Sequence, residues 1–140
     1  MKKLFISLIF FFSAFVFASA SSGGLEKALI LLNDGKTDEA MDIVSLKLKS
    51  ETVSADAYMA MGLIQLDKKN YSQAKENFEQ ALRINKKIVA AHYMLAMIYE
   101  KEGNDELAID KWQRILKHAK DVNLRALAEK HIKQLKGQLE

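Results

Sequence analysis

The sequence predicts an all-α fold, a stack of three helix-turn-helix hairpins closed by a C-terminal helix. Three observations carry this. Ala40, Ala74 and Ala108 recur every 34 residues, with Val44, Phe78 and Trp112 four positions after each and Ala28, Gly62 and Ala96 twelve positions before. A fixed period of that length, with small and large residues at fixed places, marks one helical unit repeated and stacked. Helix formers dominate, and no segment sustains a period-two alternation. Proline is absent from all 140 residues, so nothing breaks a helix by removing an amide donor.

The N-terminus reads differently from the rest. Lys2 and Lys3 precede Leu4 to Phe17, an apolar run interrupted only by Ser7 and Ser13, and Ala18-Ser19-Ala20 supplies small residues at a cleavage site. This pattern predicts a bacterial secretory signal peptide over residues 1–20, cut after Ala20, and hence a periplasmic or secreted protein. The run falls short of the roughly 20 apolar residues of a membrane span, so membrane attachment is expected only if the segment stays uncleaved. Residues 21–24 read as a short flexible segment. Without the leader the chain carries 19 basic and 18 acidic side chains. That balance gives no reason to expect nucleic acid, which calls for clustered Lys and Arg on one face. There is no cysteine, which excludes a lipoprotein anchor and any disulfide.

The three units span about 25–54, 55–88 and 89–120. In the first, helices run from about Leu25 to Asn33 and Thr37 to Lys49, joined at Asp34-Gly35-Lys36. In the second they run from about Ala55 to Lys68 and Ser72 to Ile84, joined at Lys69-Asn70. In the third they run from about Val89 to Glu102 and Asp105 to Lys120, joined at Gly103-Asn104-Asp105. Gly103 suits the left-handed end of a helix, and Asn104 or Asp105 suits the start of the next. Lys69 replaces the turn glycine in the second unit, where Asn70 is expected to tolerate the turn. Ala74, Phe78 and Ala81 share one helix face, as do Ala108, Trp112 and Ile115; the alanines permit close approach and the rings fill the space between hairpins. Residues 121–140 hold a closing helix, about Val122 to Lys136, with an apolar stripe of Leu124, Leu127, Ala128, His131, Ile132 and Leu135 and a polar opposite face. A helical stack needs such a half-polar cap.

These residues resemble the tetratricopeptide repeat (TPR) family. Tyr58 to Gly62 matches its first helix, Asn70 to Ala74 with Phe78 and Ala81 its second, and Leu95-Ala96, Tyr99, Gly103, Ala108 and Trp112 match again. Departures are the missing proline at Lys86, Gln65 in place of tyrosine, and Lys47 in place of alanine in a worn first unit. The resemblance implies a right-handed superhelix whose first helices line a concave groove. It places Leu25, Leu29, Met59, Leu63, Tyr93 and Met97 on the groove floor, then Leu32, Leu66 and Glu100, and along one rim Asn33, Asp67 and Lys101. Such a groove suits an amphipathic helix or extended apolar peptide.

No catalytic chemistry is visible. None of His92, His118 and His131 has a second histidine at i+3 or i+4, no glycine-rich phosphate loop is present, and no serine or threonine shows a base placed to activate it. The expectation is a non-enzymatic interaction module, without metal or cofactor, that binds a protein or peptide partner. A self-assembling module, as a homodimer, or a periplasmic holdase using the same apolar strip is the alternative.

Overall fold

The chain turns back three times at the same place in the repeat. Gly35, Lys69 and Gly103 take φ values of +75°, +61° and +71°. At each turn the following amide reaches back five residues: Lys36 to the Leu31 carbonyl at 2.8 Å, Asn70 to Gln65 at 2.8 Å and Asn104 to Tyr99 at 2.9 Å. This is the left-handed C-terminal cap that satisfies otherwise orphaned carbonyls. The second turn corrects the sequence expectation. Lys69 itself adopts the left-handed conformation, while Asn70 has φ −83°. The Asn70 amide instead donates through Nδ2 to Gln65 Oε1 at 2.9 Å, bracing a turn that lacks glycine.

The computed structural model describes residues 23–49 and 54–139, and the segment read as a signal peptide lies outside them. Among the described residues there are seven helices and no strand: α1 Gly23–Asn33, α2 Thr37–Leu48, α3 Ala55–Asp67, α4 Tyr71–Ile84, α5 Val89–Lys101, α6 Asp105–His118 and α7 Val122–Leu139. Three of them begin under a side-chain cap. Ser54 accepts from the Ala57 amide at 3.2 Å, Asn104 from Leu107 at 3.4 Å and Asp121 from Leu124 at 2.7 Å.

Helices α1 and α2, α3 and α4, and α5 and α6 form the hairpins, and α3, α5 and α7 each pack on the hairpin before. Helices α3 and α4 come close together at Gly62. A Cβ there would lie 2.5 Å from the Phe78 ring, so α3 and α4 touch only because that position has no side chain. Ala40, Ala74, Ala108, Val44, Phe78 and Trp112 are all fully buried. The repeated small-to-large spacing is therefore the packing code between helices.

The two ends of the stack differ. Ile64 and Ile98 are 1% and 4% exposed against the preceding hairpin, whereas their repeat counterpart Ile30 is 54% exposed. Beside it, Glu26 and Lys27 stand where later units place Ala60 and Met61, or Met94 and Leu95. At the other end α7 covers the third hairpin with Leu124, Ala128 and Leu135. The worn first unit leaves Leu46 71% exposed.

Candidate functional site

The residues that the resemblance assigns to the groove separate into three groups. Leu25, Met59, Leu63 and Tyr93 are buried in the core. Leu29, Leu32, Leu66 and Met97 are half-buried and pack against it from outside. Asn33, Asp67 and Lys101 are exposed, and Glu100 is half-buried.

Two rim residues already have partners. Asp67 Oδ2 accepts from Thr37 Oγ1 at 2.6 Å, and Lys101 Nζ donates to the Tyr71 hydroxyl while lying 4.2 Å from the centroid of its ring. Thr37 and Tyr71 each open the second helix of a hairpin, and Asp67 and Lys101 each close the first helix of the next. The same contact therefore recurs one repeat later and ties successive hairpins together. Lys68 to Asp38 at 2.7 Å and Lys75 to Glu102 at 2.7 Å add ion pairs across the same junctions. Exposed pairs of this kind fix orientation more than they stabilise.

Glu100 sits at the junction of three helices. Its Oε1 accepts from Trp112 Nε1 of α6 and lies 2.8 Å from His131 Nδ1 of α7. His131 stacks on Trp112 with centroids 4.4 Å apart, and Tyr93 meets that indole edge-on at 5.5 Å. Burial, then the nearby Glu100 carboxylate, pushes the Tyr93 phenol up. This polar and aromatic knot was not legible in the sequence. Its only trace there is that Trp112, the one tryptophan, needs a partner for its N–H when buried.

His92 is buried as an aromatic-sized filler. Its Nε2 lies 3.0 Å from the Lys86 carbonyl, its Nδ1 has no partner, and its ring stacks on His118 at 6.3 Å. Burial, the largest effect, lowers its pKa below the ordinary imidazole value. Tyr99 donates to Glu79 at 3.1 Å, and burial followed by that carboxylate pushes the phenol up to about 12. Both shifts come mainly from packing. Among the described residues no group of three His, Cys, Asp or Glu is arranged to hold a metal ion. The arrangement supplies a contact surface with a half-exposed apolar strip and a braced rim.

Comparison with known proteins agrees with this geometry. Residues 17–125 match the family model of the tetratricopeptide repeat protein 21 C-terminal ARM domain. The human Superkiller complex protein 3 is 33% identical over 79 residues, 56% of this chain, and the mouse protein of the same name is 30% identical over 100 residues, 71% of this chain. The chain spans only 5% and 6% of the length of those relatives. The crystal structure of MamA shares the fold, with a TM-score of 0.65 and 19% identity over 81% of this chain and 75% of that one. The chain belongs to the family of the tetratricopeptide repeat protein 21 C-terminal ARM domain and is a TPR-like helical repeat protein.

Proposed function

We propose that this protein is a non-enzymatic adaptor of the bacterial cell envelope, exported after cleavage near Ala20, that holds a helix or extended peptide of a protein partner on its concave side. Repeat proteins of this kind are generally protein-interaction scaffolds. The observation that carries the reading is the division of the inner residues. Leu29, Leu66 and Met97 stay half-exposed along positions that the resemblance assigns to the groove, while the rim beside them is braced by Thr37–Asp67 and Tyr71–Lys101. Apolar surface left open beside a rigid rim offers a preformed place for apolar side chains, each square ångström covered being worth about 25 cal/mol. Met97 adds an adaptable contact. The envelope location rests on the residue pattern of Lys2 to Ala20.

Burial decides which substitutions test this. Met59→Asp or Leu63→Asp would place a charge in the core and unfold the stack. Leu66→Asp with Met97→Asp alters half-exposed positions instead. Affinity capture from envelope extract with the wild type is expected to retain a partner that the folded double variant loses. Equal retention by both proteins contradicts the groove reading. A wild-type dimer broken by the double variant, measured by light scattering, would assign the strip to self-assembly.

A further inference from the structure

Helices α1, α3 and α5 are each followed by a second helix that packs along one side, namely α2, α4 and α6. Helix α7 packs on α6, and the corner between the two is open at the surface. A shallow, open cleft of about 510 Å³ lies there. Leu116 of α6 and Ile132 of α7, both half-buried, give it an apolar floor. Gly137 forms part of the wall, and a Cβ there would meet nothing within 4 Å. Lys133 and Lys136 stand at the mouth with Glu129.

The charge of this corner departs from the rest of the chain. The cleft itself is lined by two lysines and one glutamate, and the surrounding stretch from Gln113 to Gln138 carries seven Lys and Arg against two Asp and Glu, although the chain from Ser21 onward is close to neutral. Lys130, Lys133 and Lys136 are exposed and make no hydrogen bond or ion pair among the described residues. Elsewhere the structure uses lysines to join hairpins, as at Lys68–Asp38 and Lys75–Glu102.

We infer that the α6–α7 corner is a second docking site, distinct from the concave strip, and that its occupant is an acidic amphipathic helix of a partner protein. Charge complementarity selects the occupant: an apolar floor bordered by lysines that outnumber the one glutamate beside them matches a helix with leucines on one face and carboxylates beside them. Glu129 at the mouth fixes register by repelling one misplaced carboxylate.

The test uses a synthetic amphipathic peptide of about four helical turns, with leucines at i, i+4 and i+7 and glutamates on both flanks, added to ¹⁵N-labelled protein. The expected result is shifts at the amides of Leu116, Ile132, Lys133 and Gly137, an affinity that falls with added salt, and weakening of about tenfold or more in Lys133→Glu/Lys136→Glu. Both substitutions are at exposed positions, and circular dichroism confirms that the variant is folded. A peptide with glutamates replaced by lysines is expected not to bind. Shifts confined to Leu29, Leu66 and Met97, or affinity unchanged by the charge reversal, overturn the inference. So does binding of the protein to phosphatidylglycerol vesicles without binding of the peptide, which would assign the corner to a lipid surface.

Discussion

His131 of α7 stacks on Trp112 of α6 at 4.4 Å, with ring planes 23° apart. The imidazole also holds the Glu100 carboxylate, which in turn receives the indole N–H. The closing helix is thus fastened by a triangle of directional contacts in addition to its apolar stripe. His131→Ala is expected to cost about 1–3 kcal/mol in urea unfolding. Trp112→Ala, which empties a fully buried site, is expected to cost ~3–5 kcal/mol. A loss below about 1 kcal/mol for Trp112→Ala is typical of surface sites and would contradict its burial between hairpins.

Gly62 is set by the Phe78 ring. Alanine is the better helix former by about 1 kcal/mol, but its methyl would sit 2.5 Å from a ring carbon. Overpacking is expected to win, with Gly62→Ala lowering stability by about 1–3 kcal/mol. Gly62→Ala combined with Phe78→Leu is expected to lose less than the two single changes together. Additive losses would show that the ring and the glycine do not meet.

Lys69 is the turn residue that should improve on replacement. Its φ of +61° costs a side-chain residue about 1–2 kcal/mol, offset in part by the greater entropy that glycine loses on folding. Lys69→Gly is expected to raise the unfolding free energy by about 0.5–1 kcal/mol. Lys68→Gly, one residue earlier at φ −74°, is expected to lower it. Destabilisation by Lys69→Gly would contradict the left-handed turn.

Acid stability is expected to depend on His92. Burial lowers its folded pKa below the ordinary imidazole value of about 6.5, so the unfolded chain takes up a proton first. The stability it contributes is fully present above about pH 6.5 and is lost as the pH falls through the depressed folded value. The thermal midpoint is expected to drop between neutral pH and pH 5. His92→Phe keeps an aromatic in the buried site and is expected to flatten that slope, at the cost of the contact to the Lys86 carbonyl. An unchanged slope in the variant would show that His92 does not govern the acid limb.

The repeat made the helices readable and the contacts between them less so. A 34-residue period forces equivalent residues into equivalent places, which is why Gly35, Lys69 and Gly103 turn alike and why the expected helix boundaries lie within a few residues of those observed. Stacking then adds information that no single unit contains. Met59, Leu63 and Tyr93 are buried because neighbouring helices close over them, with Tyr93 drawn edge-on against Trp112. Asp67 and Lys101 bridge to Thr37 and Tyr71, 30 residues earlier, a reach set by the superhelix and not by one helix face. The Glu100–Trp112–His131 knot joins three helices, the last outside the three hairpins, and periodicity has no register for it.

The proposed function requires a partner lying along Leu66 and Met97. Photo-crosslinking amino acids placed singly at these two positions and at the exposed Leu46 of α2, followed by illumination of intact cells, test it most directly. A partner seated on the concave strip gives a common adduct from positions 66 and 97 and none from position 46. Adducts from position 46 alone, with positions 66 and 97 silent, would contradict it.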